Sequence, residues 1–346
     1  MKYIPLIFLA ASFMCCSSNV PMDANDLVEK GETLWNKGDT ESAMTAFNEA
    51  VELDDENIDA FYYRALLKED LGDLEGAMHD YDRAIELNNS FIYYYQRRLW
   101  PYYSRAALKL ALGNLEGAIA DYSLAITVKS DEVFLYIERG LILKLLGDME
   151  GALSDFTQAI QLDSSYADAY YNRGILRHLL QDKQGALADL DKAIELNPAE
   201  GAYYSNRGYL RQTLYDSEGA IADCEKAIEL NPNDAVVYIN TALVRQVNGD
   251  IKGALIDLNK AIELNPNDPV SYNNRGYLKQ LRGNFKGAMD DYNKAIKLSP
   301  FDSSPYFSRA GLKFEIKDIS GACEDWTKAL DLGNPMALSM LEKYCK

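Results

Sequence analysis

The decapeptide DLDKAIELNP occupies residues 189–198, and three near copies follow it: DCEKAIELNP begins at Asp223, DLNKAIELNP at Asp257 and DYNKAIKLSP at Asp291. Each copy begins 34 residues after the one before it. A fold with one irregular core does not need such regularity, whereas a stack of similar units does, because each unit must present the same surface to its neighbour. The period therefore predicts a repeat architecture.

Small residues mark the same period along most of the chain. Alignment of the copies on one alanine gives nine positions, which are 34 residues apart except for one step of 41: Ala43, Ala77, Ala118, Ala152, Ala186, Ala220, Ala254, Ala288 and Ala322. A second alanine follows each of these after seven residues, and a Gly or Ala precedes each by twelve. We expect two helices to approach closely at these positions, because no larger side chain occurs there.

The residues around the alanines have the spacing of amphipathic helices. In GALADLDKAIEL, residues 185–196, the apolar side chains follow the pattern i, i+3, i+4, i+7. Each unit holds two such segments, separated by a short turn such as Gly147-Asp148, and the second segment ends at Asn-Pro or an equivalent, as at Asn197-Pro198. Short connections of this kind predict antiparallel helical hairpins.

These features together resemble the tetratricopeptide repeat family, whose 34-residue unit has a large residue at position 4, small residues at 8, 20 and 27, a bulky one at 24 and proline at 32. The chain has tyrosine at position 4 from Tyr102 to Tyr306, and the proline in four units: Pro198, Pro232, Pro266 and Pro300. The resemblance covers residues 25–334 and implies an all-α fold, a right-handed α-solenoid of about nine helical hairpins. Residues 335–346 resemble the C-terminal capping helix of such stacks.

One step of the period carries seven extra residues, around SFIYYYQRRLWPYYSR from Ser90 to Arg105. Seven residues make two helical turns, so one interpretation is a first helix that is lengthened at its start and kinked at Pro101. The other is an aromatic protrusion at residues 91–103 that docks a partner.

The composition bears on partners and on cysteine chemistry. The formal net charge is −18, which argues against nucleic acid or an anionic membrane surface as the main partner. The cysteines are few and scattered, so we expect no disulfide framework. Three of them are expected to be buried small hydrophobic residues: Cys224, Cys323 and Cys345.

The N-terminal residues 1–16 contain a short apolar run from Tyr3 to Met14. A membrane-spanning helix needs about 20 residues, so a secretory signal fits this run better. The following CSSN resembles the start of a mature bacterial lipoprotein with Cys15 or Cys16 lipidated, although such signals prefer a small residue before the cysteine.

We therefore expect an exported protein that is anchored to the bacterial envelope by lipid through a short tether, residues 17–24. A freely secreted or periplasmic form is one alternative. A retained signal anchor or a cytosolic protein is the other.

Motifs of catalysis are absent from the sequence. The two histidines, His79 and His178, are about a hundred residues apart, and there is no HExxH, CxxC pair, GxSxG or GxxxxGK. We expect no catalytic residue, no metal and no cofactor, and hence a scaffold. The rival is an accessory or regulatory subunit of an envelope enzyme, or a hydrolase with an unrecognised site; perturbed, non-periodic titratable groups in a closed pocket would favour it.

Charged residues repeat with the fold. Position 23 is aspartate in eight units: Asp80, Asp121, Asp155, Asp189, Asp223, Asp257, Asp291 and Asp325. Position 7 is arginine in seven: Arg64, Arg105, Arg139, Arg173, Arg207, Arg275 and Arg309. The two rows predict an arginine–carboxylate ladder, with a solvated charged face as the alternative. Thr241 interrupts the arginine row and leaves Asp257 without an arginine at that position.

Position 6 of the first helix is asparagine in four consecutive units: Asn172, Asn206, Asn240 and Asn274. The resemblance implies that this position faces a concave groove, where an asparagine ladder in some members of the family grips the backbone of an extended peptide. A carboxamide suits that task because it offers both a donor and an acceptor. The alternative is an asparagine that hydrogen-bonds to its own helix surface.

The same resemblance places positions 5, 9 and 12 in the groove. The candidates there are polar or aromatic: Tyr171, His178, Tyr209, Gln212, Gln246, Tyr277 and Gln280. Lysine is missing from these positions, so the clamp that holds the acidic tails of chaperones is not expected. The expected partner is a protein or an extended peptide.

Overall fold

The computed structural model describes residues 22–88 and 99–345, which form nineteen α-helices and, within those ranges, no strand. The residues form two compact units, Met1–Leu135 and Tyr136–Lys346. The predicted all-α fold of helical hairpins with a closing helix is confirmed. None of the helices in the described ranges is both long and apolar enough to cross a membrane. The signal with Cys15 and Cys16, and most of the seven-residue insertion, lie outside the described residues.

The helices alternate between two kinds along the chain. The first helices of the hairpins are α1 (Ala24–Asn36), α3 (Ile58–Asp70), α5 (Leu99–Ala111), α7 (Val133–Leu146), α9 (Ala167–Leu179), α11 (Gly201–Thr213), α13 (Ala235–Val247), α15 (Pro269–Leu281) and α17 (Ser303–Glu315). The second helices are α2 (Thr40–Leu53), α4 (Leu74–Asn88), α6 (Leu115–Val128), α8 (Met149–Leu162), α10 (Lys183–Leu196), α12 (Ser217–Leu230), α14 (Ile251–Leu264), α16 (Phe285–Leu298) and α18 (Ile319–Asp331). The closing helix is α19 (Met336–Tyr344).

Each hairpin turns through a left-handed residue followed by a helix cap. Gly147 has φ +86°, and the next residue, Asp148, accepts a hydrogen bond from Gly151 N at 2.9 Å through Oδ1. Such a cap satisfies a backbone donor that the first helical turn leaves free. Glycine fills the left-handed position in six turns, but three turns use other residues there: Gln181 (φ +65°), Tyr215 (φ +65°) and Lys317 (φ +70°).

The rows of small residues lie where the two helices of a hairpin meet. All nine alanines of the first row are fully buried. A Cβ atom added to Gly140 would lie 2.8 Å from the Phe156 ring, and one added to Gly276 would lie 2.8 Å from the Tyr292 ring. The close approach inferred from the sequence is therefore confirmed, and the bulky residue at position 24 fills the space above the small one.

The start of α5 lies beside the insertion. Pro101 is the third residue of the described helix and is buried. Trp100 stacks on Phe134 with ring centroids 6.0 Å apart, and Tyr103 meets Phe134 edge-on at 5.3 Å. These aromatic residues therefore pack against their own chain. The lengthened part of the helix, and the protrusion that is its alternative, fall on residues 91–98, which are outside the described range.

The C-terminal helix α19 packs on α18 and is joined to it covalently. Cys323 in α18 and Cys345 after α19 form a disulfide, with their Cα atoms 5.7 Å apart. The expectation that both are buried free thiols is wrong, because the closing helix folds back and brings the two together across 22 residues. Cys224 does match that expectation: it is a buried thiol, and burial raises its pKa to about 11.

Candidate functional site

The arginine–aspartate ladder is present and joins the two helices of each hairpin. Arg207 donates from Nε and Nη2 to the two carboxylate oxygens of Asp223, at 2.8 and 2.6 Å. The same bidentate geometry, sixteen residues apart, recurs in six other hairpins: Arg64–Asp80, Arg105–Asp121, Arg139–Asp155, Arg173–Asp189, Arg275–Asp291 and Arg309–Asp325. The prediction of a ladder is confirmed, and a solvated charged face is excluded, because the aspartates are buried.

The arginines also reach the preceding hairpin. Arg207 Nη1 donates to Asp191 at 2.7 Å, and Arg275 Nη1 donates to Asn259 at 2.8 Å. The guanidinium of Arg207 lies over the ring of Tyr204, 5.5 Å from its centroid. Each such arginine is thus fixed on several sides, and the ladder runs between hairpins as well as within them.

Most ladder aspartates also pair with a second cationic side chain, a Lys or Arg at position 11. Lys68 lies 2.7 Å from Asp80, and Arg211 lies 2.9 Å from Asp223. Burial raises the pKa of Asp80, but hydrogen bonds from Arg64 and Lys68 outweigh it, so the pKa is lower than that of an ordinary aspartate. The sequence interpretation missed this second row, although it has the same 34-residue period.

The hairpin of α13 and α14 departs from the ladder. Its position 7 is Thr241, which is 1% exposed and donates to Val237 O at 2.8 Å. Asp257 is nevertheless paired, because Arg245 Nη1 donates to both of its carboxylate oxygens at 2.7 and 2.6 Å. Burial outweighs this one cation and raises the pKa of Asp257 to about 6.

The predicted groove residues all lie on the first helices α9, α11, α13 and α15 of the second unit. Two of the four asparagines bond to the preceding first helix. Asn206 Nδ2 donates to Tyr171 OH at 3.0 Å, and Asn240 Nδ2 donates to Ser205 Oγ at 2.9 Å. We call these two bonds the seam; each joins residues 35 apart.

The other two asparagines have no such acceptor one helix back. The residues 35 positions before Asn172 and Asn274 are Ile137 and Ile239, whose side chains cannot accept a hydrogen bond. Asn172 Nδ2 donates to Asp168 O in its own helix at 2.9 Å, as the alternative interpretation expects, and Asn206 makes the same bond to Ala202 O at 2.9 Å besides its bond in the seam. The row of asparagines is therefore split between a seam pair and a pair outside the seam.

Two of the three glutamines are also engaged within the protein. Gln212 Oε1 accepts from Asn248 Nδ2 at 2.9 Å. Gln280 accepts from Tyr292 OH at 2.9 Å and donates to Glu315 at 2.7 Å. Gln246 lies at the equivalent place on α13 and is partly buried.

The aromatic candidates differ in exposure. Tyr171 packs against Tyr203, with ring centroids 4.9 Å apart, and its pKa is raised by burial and then by nearby carboxylates. Tyr209 and Tyr277 are exposed on their helices. The ring of His178 meets Tyr209 edge-on at 5.7 Å, and burial lowers the His178 pKa, so its imidazole is neutral at pH 7.

The described residues contain no cluster of three or more His, Cys, Asp or Glu side chains that could hold a metal ion. Two ladder aspartates have shifted pKa values, Asp80 downward and Asp257 upward, and the ladder repeats with the fold; outside the ladder, burial raises the pKa of Glu138 on α7. What the first helices offer to a ligand is a set of amide and phenol groups with exposed aromatic rings between them. Such groups bind by hydrogen bonding and stacking.

Sequence profiles of one family match several parts of the chain. A profile described as TPR repeat matches residues 140–181, and profiles described as tetratricopeptide repeat match residues 28–90, 167–199, 202–234 and 258–289. Together the matches cover more than half of the sequence. The chain belongs to the tetratricopeptide repeat (TPR) family. No curated protein matches this TPR chain.

Solved TPR structures share its fold. A tetratricopeptide repeat protein from Parabacteroides merdae has a TM-score of 0.59 and 21% identity, and the match covers 72% of this chain and 99% of that one. Yeast Tom70 has a TM-score of 0.55 and 18% identity, and the match covers 93% of this chain and 88% of that one. At these identities the likeness concerns the TPR fold alone.

Proposed function

We propose that this TPR protein is a non-catalytic scaffold that holds a segment of a partner protein against its first helices α9 to α15. The observation that carries the proposal is the pair outside the seam. Asn274 lies one helical turn before the exposed ring of Tyr277, Tyr209 holds the same position on α11, and the residue 35 positions before Asn172 and before Asn274 is an isoleucine, which cannot accept a hydrogen bond. The amide groups of the two asparagines suit the N–H and C=O groups of an extended peptide.

The charge of the chain supports a protein as partner in preference to nucleic acid. At −18, the chain repels a phosphate backbone and attracts basic polypeptides. Amides and phenols recognise backbone and ring faces without regard to most side chains, so the binding is tolerant of sequence.

The two asparagine pairs provide a matched test. The variant Asn172→Ala/Asn274→Ala removes the pair outside the seam, and Asn206→Ala/Asn240→Ala removes the seam donors. Crosslinked partner is quantified by mass spectrometry of envelope extracts, and melting is followed by circular dichroism. We expect the first variant to lose capture at an unchanged melting temperature and the second to melt lower. Full capture by the folded first variant would refute binding through these asparagines.

We further propose that the protein is exported and anchored to the envelope by lipid at Cys15 or Cys16. The apolar run before the paired cysteines supports this, and so does the disulfide Cys323–Cys345, because disulfides persist mainly in oxidising compartments. Mass spectrometry of the mature N-terminus is expected to find an acylated cysteine. An intact Met1 in the soluble fraction would contradict the proposal.

A further inference from the structure

Exposed apolar side chains lie along the turns of successive hairpins in the second unit, and three consecutive turns around Tyr215 carry four of them. They are Leu179 at the end of α9, Leu180 in the turn that follows it, Tyr215 in the turn after α11 and Val247 at the end of α13, and we call them the turn ridge. These residues are 55%, 46%, 93% and 65% exposed, in that order. Apolar side chains so exposed in neighbouring units are typical of an interaction surface.

Two hydrogen bonds hold the three turns side by side. Lys183 Nζ donates to Thr213 O at 3.3 Å and joins the first turn to the second. Asn248 Nδ2 donates to Gln212 Oε1 at 2.9 Å and joins the third to the second. The ridge is therefore formed before any partner arrives, which lowers the entropy that binding must overcome.

Tyr215 is the least expected residue of the ridge. It adopts φ +65° at a position that is glycine in six other turns. A side chain with a Cβ strains the backbone there, and a ring that is 93% exposed gives the fold almost no packing in return. The fold itself therefore does not account for a tyrosine at this place. Exposed aromatic residues are frequent anchors of protein interfaces.

We propose that the turn ridge docks an amphipathic helix of a partner protein, with Tyr215 as the central anchor and Lys or Arg beside the apolar face of the helix. Seven residues of a helix rise about 10.5 Å, and packed helices of neighbouring units are about 8–10 Å apart. One apolar residue in each heptad of the partner helix can therefore contact each successive turn of the ridge.

The negative charge of this chain favours a partner helix with Lys or Arg beside its apolar face. Asp182, Asp216 and Asp250 cap the helices that follow the three turns, and the first two are half-exposed. Arg177 and Arg211 are paired with the ladder aspartates Asp189 and Asp223 and reach those two caps only at 3.7 Å, while Lys183 adds one positive charge beside Asp182. With a chain charge of −18, a second copy of this protein is repelled, whereas a basic helix is attracted.

The test uses a labelled peptide of three heptads, about 21 residues, with leucine on one face and lysine on the flanks, titrated against the full-length chain by fluorescence anisotropy. We expect Tyr215→Gly to weaken binding at least tenfold and to melt no lower than the wild type, because glycine relieves the strained backbone. Gln181→Gly is the matched control: it relieves the same strain one turn away and keeps full affinity. Tyr215→Phe keeps most of it.

The proposal is overturned if the wild type does not bind the peptide, if Tyr215→Gly binds it as well as the wild type, or if a peptide with glutamate in place of lysine binds equally. Loss of self-association in Tyr215→Gly without peptide binding would assign the ridge to a second copy instead. The variant Asn172→Ala/Asn274→Ala is expected to bind the helix normally, so failure at the ridge and failure at the first helices are distinguishable.

Discussion

Replacing Thr241 by arginine should repair the interrupted ladder and change how stability depends on pH. In the wild type, Asp257 is buried with one cation, and its pKa lies near 6 against an ordinary value of 3.8. The residues around position 241 resemble those around Arg207, one unit earlier. The ring of Tyr204 lies under the Arg207 guanidinium, and Tyr238 is its equivalent at position 241. Asp191 accepts a hydrogen bond from Arg207, and the equivalent carboxylate is Glu225. A new arginine therefore finds the same contacts.

The magnitude follows from the pKa. A difference of about two units between the folded and unfolded values corresponds to about 3 kcal/mol, which residual solvent screening reduces to about 1–3 kcal/mol. Because the folded pKa of Asp257 is raised, the folded state binds more protons than the unfolded state between pH 4 and 6. This carboxyl group therefore lowers stability as the pH rises through that window, and the loss is complete above pH 6.

Hydrogen exchange of α13 and α14 is the appropriate assay, because arrays of repeats do not unfold in one step. At pH 7 we expect Thr241→Arg to raise the local opening free energy by about 1–3 kcal/mol, and the gain should shrink toward pH 4. Asp257→Asn should also be neutral or stabilising at pH 7. Asp223→Asn should destabilise, since Arg207 and Arg211 both bond to Asp223. Equal protection in Thr241→Arg and wild type at pH 7 would refute the reasoning.

Three further outcomes are expected. Arg139→Ala leaves Asp155 buried without its bidentate partner and should lower the protection of α8 in hydrogen exchange by about 3–5 kcal/mol, whereas Lys192→Ala, at an exposed pair, should leave the protection of α10 almost unchanged; equal losses would count against a buried ladder. Lys317→Gly should stabilise by about 1 kcal/mol, because it removes a side chain from a left-handed turn residue, and a lower melting temperature would contradict this. Cys323→Ser should lower the protection of α19 in hydrogen exchange by about 3 kcal/mol, and unchanged protection would mean that packing alone holds the closing helix.

Most of the fold follows from the sequence, because every unit has the same residue types at the same positions. The alanine rows, the turn signals and the 34-residue period together determine which helices pair. The ladder is also predictable, since Arg64 and Asp80 belong to rows with one period. Residues that recur every 34 positions in a stack of repeats have the same surroundings in each unit, which is why these inferences succeed.

The site is less predictable because it depends on differences between units. Whether an asparagine joins the seam is decided by the residue 35 positions earlier: Tyr171 accepts from Asn206, but Ile137 cannot accept from Asn172. The sequence shows which residue lies 35 positions before each asparagine, but only the structure shows that this is the residue the asparagine meets. The disulfide at Cys323 was missed for another reason, since a cysteine count carries no information about a helix that folds back.

The placing of each ladder arginine sixteen residues before its aspartate bears on how the array changes length over evolutionary time. Both partners lie within one 34-residue unit, so duplication of a whole unit copies the buried carboxylate together with its guanidinium. A change in length that is not a whole number of units and that falls between the arginine and its aspartate separates them and leaves a charge unpaired in the interior. Lengthening or shortening by complete hairpins therefore keeps every pair, and a partial insertion keeps them only where it falls outside the stretch between the two partners, as the seven extra residues before Arg105 do.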